Sequence, residues 1–368
     1  MSDTPLSQGD SRREAADAPR RIAVFGETLD SLTGWLQARG HKRFRAGQIL
    51  EWIYRHGAES FEDMTNLPKR TRAELADWLD LFESQVVARS EARDGTIKLL
   101  LRWGDATTTE CVLIPDGARR TACISTQVGC PVGCVFCASG LDGLQRNLTT
   151  AEIVEQAVRI SRLCRPERLT NVVFMGLGEP LANYASTVGA VRTINAEWGP
   201  HVAARKITVS TVGLPKQMRR LAGEGLQITL ALSLHAPTEE LRQRLIPWAE
   251  RITLDELVSA ARFYFDSTGR EVTLEYILLG GVNDEPSHAR ELAGLAKQMR
   301  CNVNLIPYNP VPSLPYVRPS EESQQAFLHG LRAQGINAHL RHSRGLEVDA
   351  ACGQLRRRRQ TVEVKGEK

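Results

Sequence analysis

Hydrophobic positions follow two different spacings along the chain. In the segment 28–81 they recur at helical spacing, as at Leu32, Trp35 and Leu36, which indicates amphipathic helices. From Ala122 onwards, short β-rich runs alternate with helical stretches. Alternation of this kind predicts an α/β fold in which crossover helices connect the strands of a parallel sheet.

Six strands are predicted for that sheet, and capping signals mark helices between them. Thr149 and Glu152 form a capping box that opens one helix, and Thr253 and Glu256 open another, which Gly269 ends. Six strand–helix units suit a partial (β/α)6 barrel, in which the active site forms at the C-terminal ends of the strands. The predicted strands are 122–127, 169–175, 206–211, 227–234, 271–278 and 302–307.

The chain divides into four predicted parts. Residues 1–21 are polar and without periodicity, which predicts a disordered arm. Residues 22–95 predict a small helical accessory domain. Residues 96–355 predict the core barrel, which begins with a hairpin signal at Gly104-Asp105. Residues 356–368 form a basic, charged tail.

Composition and charge narrow the class of protein only slightly. The 368 residues are 42% hydrophobic, enough for a sizeable core, and a formal net charge of +4 is by itself a poor indicator of a nucleic-acid partner. The N-terminus lacks the profile of a signal peptide, and no apolar run is long enough to span a bilayer. The eight cysteines are not distributed like the disulfide framework of a secreted protein. We therefore expect a cytoplasmic protein with no membrane contact.

Three cysteines stand close together in the pattern C-x3-C-x2-C. They are Cys130, Cys134 and Cys137, and Gly129 and Gly133 give the loop between them a permissive backbone. A structural zinc site normally has four protein ligands, and a [4Fe–4S] cluster is usually held by four thiolates. Three thiolates would leave one iron open to the amino and carboxylate groups of S-adenosylmethionine, as reductive cleavage of that molecule requires. Cysteines buried only for packing would not need this spacing among glycines.

Further motifs surround the cysteine triad. They are Glu-Cys-Val-Leu-Ile-Pro at 110–115, Ser-Thr-Gln-Val-Gly at 125–129 and Asp-Ala-Ala-Cys-Gly-Gln-Leu at 349–355. Together with the triad, they resemble the RlmN/Cfr family of radical S-adenosylmethionine enzymes, which methylate an amidine carbon of an adenine in 23S ribosomal RNA. The resemblance spans roughly 43–355 and implies a partial (β/α)6 radical-SAM barrel. It also implies that the N-terminal helical domain, through the segment 45–54, grips folded RNA.

The resemblance implies the cofactors and the residues that bind them. It implies a [4Fe–4S] cluster on the cysteine triad and two molecules of S-adenosylmethionine per turnover. Gly178 and Glu179 match the residues that contact the amino group of S-adenosylmethionine. A lone histidine at a strand end is more often a hydrogen-bonding positioner than a base, and we assign that role to His235. The residues that match holders of the ribose, carboxylate or adenine are Ser210, Ser233, Leu234, His235 and Asn309.

Three residues outside the cluster motif match catalytic positions of the family. From the residues alone, Glu110 is either an exposed charge at a strand edge or a general base, and Cys123 and Cys352 are unrelated structural cysteines. The resemblance implies that Cys352 carries the methyl group as S-methylcysteine and that Glu110 removes a proton from the alkylated adenine carbon. It also implies that Cys123 closes a disulfide with Cys352 to release the product.

Regiochemistry and substrate range stay open between alternatives. The motifs look closer to enzymes that methylate C2 of adenine 2503 in 23S rRNA, and often also adenine 37 of tRNA, than to the C8 enzymes of antibiotic resistance. Two segments, 138–143 and 344–349, depart from the usual pattern. The non-enzymatic alternative is an RNA-binding protein with a structural metal site, and a third is a radical enzyme acting on a small metabolite.

The resemblance also implies partners. These are 23S rRNA, free or in the assembling large subunit, tRNA as a second substrate, and an electron donor such as flavodoxin or ferredoxin. We expect the protein to be a monomer.

Overall fold

The computed structural model describes residues 21–355. All but the last residue of the predicted arm (1–21) and the whole of the predicted tail (356–368) lie outside the described residues.

Strands and helices alternate through most of the described chain. The strands are β1 (Ile22–Ala23), β2 (Leu79–Asp80), β3 (Gln85–Glu91), β4 (Ile97–Arg102), β5 (Thr108–Asp116), β6 (Arg119–Cys123), β7 (Gln127–Gly129), β8 (Leu144–Asn147), β9 (Asn171–Phe174), β10 (Ile207–Thr211), β11 (Thr229–Ser233), β12 (Val272–Leu278), β13 (Cys301–Pro307) and β14 (Ala338–Leu340). The α-helices are α1 (Leu29–Gln37), α2 (Arg45–Glu51), α3 (Lys69–Trp78), α4 (Thr150–Leu163), α5 (Tyr184–Asn195), α6 (Pro215–Ala222), α7 (Glu239–Leu245), α8 (Leu254–Thr268), α9 (Pro286–Ala296) and α10 (Glu321–Ala333).

One large sheet organises the molecule. Its order is β14-β13-β12-β11-β10-β9-β6-β5-β4-β3. Neighbours from β6 to β14 are parallel, and those from β3 to β6 are antiparallel. Helices connect the successive parallel strands, as crossover connections require. This confirms the predicted α/β fold with a large parallel sheet, and each of the six predicted strands overlaps an observed one. The parallel strand β14 and the antiparallel strand β3 were not predicted.

Local sequence signals explain where the main helices begin and end. The Thr149 hydroxyl accepts a hydrogen bond from the Glu152 backbone N–H at 3.1 Å, and the Glu152 carboxylate accepts one from the Thr149 N–H at 2.8 Å. The same reciprocal pair, Thr253 and Glu256, opens α8, which ends at Gly269 in the left-handed conformation with φ +68°. Both predicted capping boxes are therefore confirmed.

The N-terminal helices pack onto the same apolar core as the large sheet. Buried side chains of α1, α2 and α3, such as Leu36, Ile49 and Leu75, belong to one continuous cluster with the core of the sheet. A second connection is polar, because the buried carboxylate of Glu155 on α4 accepts hydrogen bonds from the backbone of Glu83, at 2.7 Å, and of Ser84. Strand β3 lies within the predicted N-terminal part (22–95), but it pairs with β4 and extends the large sheet.

The parallel strands present their C-terminal ends at one edge of the sheet. In sheets of this kind, ligands bind at that edge, because the loops that follow the strands gather there. None of the helices within residues 21–355 combines the length and apolar composition that a membrane span requires.

Candidate active site

A glycine-dependent loop holds the three clustered cysteines. It is closed at its base by the antiparallel pair of β7 and β8, where the Cys130 N–H donates to the Gly143 carbonyl at 3.1 Å. Gly129 has φ +79°, and a Cβ there would lie 2.0 Å from the Gly143 oxygen, so only glycine fits. Cys130, Cys134 and Cys137 all line one cavity of about 150 Å³.

The environment of the three thiols is apolar. They pack against a cluster that includes Val132 and Phe136 of the loop, and burial raises the pKa of Cys130 to about 12 and raises those of Cys134 and Cys137. A metal bound to such thiols would replace their protons and remove the cost of buried thiolate charge. Among the described residues, no set of three or more His, Cys, Asp or Glu side chains has the geometry of a site for a single metal ion. What suits this site to an iron–sulfur cluster is therefore its set of donors, three thiols of one loop that face one cavity.

Glu179 lies in the same cavity and is held by backbone donors. Its two carboxylate oxygens accept hydrogen bonds from the N–H groups of Leu181, at 3.0 Å, and Val212, at 2.9 Å. It is 2% exposed, and burial raises its pKa to about 7 against the opposing effect of these bonds. Gly178 has φ +104°, and a Cβ there would lie 2.7 Å from Cβ of Gln127. The turn thus brings a fixed carboxyl group to the cavity wall.

Three of the other predicted cofactor residues line this cavity as well. Ser210 is the penultimate residue of β10 and Ser233 ends β11, and their hydroxyl oxygens are 3.1 Å apart. His235 has φ +60°, and its Nδ1 accepts a hydrogen bond from the Ile277 N–H at 3.1 Å. Burial lowers the pKa of His235 to about 3, so its ring is neutral near pH 7. A neutral ring with Nδ1 occupied has the geometry of a positioner.

Two predicted cofactor residues do not line the first cavity. Leu234 is buried, and its N–H donates to the Glu275 carbonyl at 3.0 Å. Asn309 lines a second cavity, of about 70 Å³, and its Nδ2 donates to the Cys352 carbonyl at 3.1 Å. In this structure Asn309 therefore holds the segment that carries Cys352.

Cys352 lies at the boundary between the two cavities. It lines both of them, together with Met175 and Ile306. Cys123 lines only the second cavity, and burial raises the pKa of its thiol to about 12. Both cysteines are free thiols in this structure. One thiol, that of Cys352, thus faces the space beside the clustered cysteines as well as the space beside Cys123.

Glu110 is buried in an ion pair and lines neither cavity. Its Oε1 lies 3.1 Å from Nζ of Lys98, and the two side chains are 1% and 4% exposed. Glu110 is two residues from Val112, which is the register partner of Cys123, so Glu110 and Cys123 share one face of the sheet. Lys98 also donates to the carbonyl of Asp349 at 2.9 Å, three residues before Cys352. The alternative of an exposed edge charge is therefore wrong.

Two family models match separate parts of the chain. A model of the ribosomal RNA large subunit methyltransferase N-terminal domain matches residues 22–80, and a model of the radical SAM superfamily matches residues 124–293.

Whole-length relatives decide the family. Proteins named "Probable dual-specificity RNA methyltransferase RlmN" include one from Rhodopirellula baltica, 46% identical over 94% of both chains. Another, from Thermosynechococcus vestitus, is 46% identical over 91% of this chain and 98% of its own. The chain belongs to the RlmN family. A crystal structure of a radical SAM methyltransferase from Sphaerobacter thermophilus matches with a TM-score of 0.89 and 48% identity, over 91% of this chain and 99% of that one.

Membership confirms the resemblance inferred from the motifs. The chain is a radical SAM methyltransferase of the RlmN family, and that family implies a [4Fe–4S] cluster and S-adenosylmethionine as cofactors. The cysteine loop described above offers three thiols that suit such a cluster. The non-enzymatic and small-metabolite alternatives have no support in these matches.

Sequence reasoning missed several polar residues that build this RlmN-family site. Gln127 lies in the Ser-Thr-Gln-Val-Gly motif but had no predicted role of its own, yet its Oε1 accepts a hydrogen bond from the Glu179 N–H at 2.8 Å. Asn283 donates to the His235 carbonyl at 2.9 Å. Lys98 lies in an ordinary β-hairpin sequence, and its partner becomes visible only when the strand register is known. The Gln127 signal was available in the sequence, since it lies three residues before Cys130.

The first prediction concerns the buried ion pair. Lys98→Met leaves the Glu110 carboxylate without its ammonium partner, so we expect the free energy of unfolding to fall by about 3–5 kcal/mol. Urea denaturation measures this, and the double variant K98M/E110Q should recover part of the loss. The control, Lys216→Met at an exposed lysine, should stay within about 0.5 kcal/mol of wild type. A K98M protein as stable as wild type would show that the pair contributes nothing.

The second prediction concerns pH. A carboxyl group whose pKa is about 7 must lose its proton before it carries the charge that strengthens its hydrogen bond from the amino group of S-adenosylmethionine. Affinity should therefore rise with pH through 7, by about tenfold between pH 6 and pH 8, as measured by anaerobic equilibrium dialysis. Glu179→Gln should bind more weakly and without this pH dependence. If the variant keeps the wild-type pH profile, another group is responsible.

Proposed function

We propose that this chain methylates C2 of adenine 2503 in 23S rRNA, and also adenine 37 of some tRNAs, through an S-methylcysteine at Cys352. The observation that supports this most directly is the position of Cys352, which lines both the cavity with the clustered cysteines and the cavity with Cys123. A methyl carrier needs access to a methyl donor and then to the base. The relatives' name, dual-specificity RNA methyltransferase, supports RNA as the substrate.

We assign each step to the side chain that faces the space where the step would occur. A cluster bound at the three cysteines would supply the electron that cleaves one S-adenosylmethionine, and a second S-adenosylmethionine would be the methyl donor. Glu179 would accept a hydrogen bond from the amino group of the cofactor. The Cys352 thiol loses its proton, and its sulfur forms a bond to the methyl carbon as the sulfonium bond of the donor breaks.

Release of the product uses the second cavity. The 5′-deoxyadenosyl radical that the bound cofactors would supply would take one hydrogen atom from the methyl carbon on Cys352. That carbon would then form a bond to the adenine, and the surplus electron would return to the cluster. Glu110, on the same sheet face as Cys123, would take the proton from the alkylated ring carbon. Cys123 would attack the Cys352 sulfur, so that a disulfide forms as the bond between that sulfur and the carbon breaks and the carbon takes up a proton to become the methyl group. An external reductant then restores the two thiols.

The N-terminal helices present a surface suited to RNA. Phe44 is 54% exposed, and the guanidinium of Arg45 lies 5.0 Å from the centre of its ring. Lys42 and Arg43 beside it are exposed. An exposed aromatic ring among cations can stack on an unpaired base while the cations contact phosphates. We therefore propose that 22–95 acts as the RNA-binding accessory domain.

The remaining partners belong to the same proposal. The substrate is 23S rRNA, either free or in the assembling large subunit, which places the reaction in the cytoplasm. A low-potential one-electron protein, flavodoxin or ferredoxin, supplies the electrons, and the enzyme acts as a monomer.

One observation keeps C8 methylation as a second candidate. Both segments that depart from the usual motif contact the segment of Cys352. The Ala138 N–H donates to the Gly353 carbonyl at 2.8 Å, and the Ser139 hydroxyl donates to the Leu355 carbonyl at 2.7 Å. From the second segment, the Gly345 carbonyl accepts a hydrogen bond from the Ala350 N–H at 2.9 Å, two residues before Cys352. These contacts orient the methyl carrier, so they bear on which ring carbon it reaches.

The third prediction tests regiochemistry. The reconstituted enzyme, given S-adenosylmethionine, a reductant and 23S rRNA unmodified at adenine 2503, should produce 2-methyladenosine, as resolved from 8-methyladenosine by mass spectrometry of the digested RNA. RNA with a guanine at that position is the control and should stay unmodified. A product that is only 8-methyladenosine would replace our proposal with the C8 reaction.

The fourth prediction separates the two cysteines. Cys352→Ala should abolish turnover while retaining wild-type iron content, because the proposal makes this thiol a methyl carrier and not a cluster ligand. Cys123→Ala should leave the protein covalently attached to RNA, visible on a denaturing gel. Cys164→Ala is the control, since that thiol donates only to the Ile160 carbonyl within its own helix. Normal turnover by C123A without an adduct would contradict the scheme.

A further inference from the structure

Arg242 on α7 is a buried cation with unused hydrogen-bond donors. It is 1% exposed. Its Nη2 donates to the Val212 carbonyl, but Nε and Nη1 are shielded from solvent and have no hydrogen-bond partner. Burying a guanidinium with two unpaired nitrogens is costly unless a negative group compensates it. Among the described residues, no side chain supplies an anion at hydrogen-bonding distance from these two nitrogens.

The surroundings of Arg242 identify where that partner lies. Helix α7 is joined to the cysteine loop by a hydrogen bond from the Val135 N–H to the Leu245 carbonyl at 3.1 Å. Burial lowers the pKa of Arg242 to about 10, and the neighbouring Cys134 and Glu239, the latter one turn earlier on the same helix, act against that effect. Nε and Nη1 are not hydrogen-bonded to Glu239, whose Oε1 accepts the N–H of Leu254. The ring of His235 also faces this region, and its lowered pKa keeps it neutral.

We propose that Arg242 is an electrostatic partner of the [4Fe–4S] cluster and raises its reduction potential through its charge and the free N–H groups of Nε and Nη1. This deepens the proposed function, since it rests on the cluster being bound at Cys130, Cys134 and Cys137. A cluster core of charge 2+ with three thiolates has a net charge of −1, and one added electron makes it −2. In an apolar, low-dielectric site, a fixed positive charge lowers the cost of that electron.

The same side chain connects the cluster site with Glu179, the protein carboxylate expected to contact the cofactor. The carbonyl of Val212 accepts the hydrogen bond from Arg242, and the N–H of Val212 donates to Glu179 at 2.9 Å. Arg242 therefore fixes the Val212 peptide, which in turn holds Glu179, the side chain expected to bind the amino group of S-adenosylmethionine. This structural role alone would not change the potential of a cluster measured without S-adenosylmethionine.

The test compares midpoint potentials of anaerobically reconstituted full-length protein without S-adenosylmethionine, by dithionite titration followed by EPR. For Arg242→Met with a full complement of iron, we expect the reduction equilibrium to shift at least tenfold towards the oxidised cluster, which is about 59 mV for one electron. Arg242→Lys keeps the charge, so its midpoint should lie closer to wild type. Arg244→Met, at an exposed arginine of the same helix, is the matched control and should leave the midpoint unchanged.

A second measurement uses only the wild-type protein, so it does not depend on whether a variant takes up iron. Pulsed EPR of the reduced wild-type protein labelled with ¹⁵N-arginine should detect a ¹⁵N coupling to the cluster, and its absence would overturn the proposal. An iron-loaded R242M protein with the wild-type midpoint potential would overturn it too. If that protein also bound S-adenosylmethionine more weakly, the role of Arg242 would be in holding the cofactor and not in tuning the cluster. None of these results depends on which adenine carbon is methylated, so they are separate from the test of the proposed function.

Discussion

The site depends on how the segment that carries Cys352 is held between two cavities. The cysteine loop holds it through the bond from Ala138 to Gly353, and the end of β13 holds it through the bond from Asn309 to the Cys352 carbonyl. Lys98 of β4 holds it through the Asp349 carbonyl. These contacts come from three distant parts of the sequence. The thiol is therefore placed by the folded sheet as a whole, although it lies near the end of the described chain.

Buried charge is the second feature that unites the site. Lys98 and Glu110 form a closed pair, Glu179 is held by backbone N–H groups, and Arg242 has donors left unpaired. Isolated charges of this kind are costly in an apolar interior. Glu179 and Arg242 are the two that still lack an oppositely charged partner at hydrogen-bonding distance. In the proposals above each of them gains a partner from a bound cofactor, a hydrogen bond from the amino group for Glu179 and the negative charge of the cluster for Arg242.

Periodicity and short motifs predicted the fold better than they predicted the network around the site. Strands such as β10 and β12, and the capping box at Thr149, follow from local sequence alone, because burial and capping act over a few residues. Strand β14 has only three residues, too few to produce a pattern. The partners of Lys98 and Arg242 depend on strand register and helix packing, which no local window contains. The roles of Glu110, Cys123 and Cys352 stay predictions that rest on family resemblance and position.

The division of the site into two cavities has a chemical consequence. Met175, Ile306 and Cys352 itself line both spaces, and two of these three side chains are apolar. Cys352, the proposed methyl carrier, is thus the polar side chain among the three that lie between the two cavities. In the proposed function the methyl group would cross this boundary only on the Cys352 sulfur, so the orientation of that one side chain, set by its anchoring segments, would decide which carbon of the base it meets.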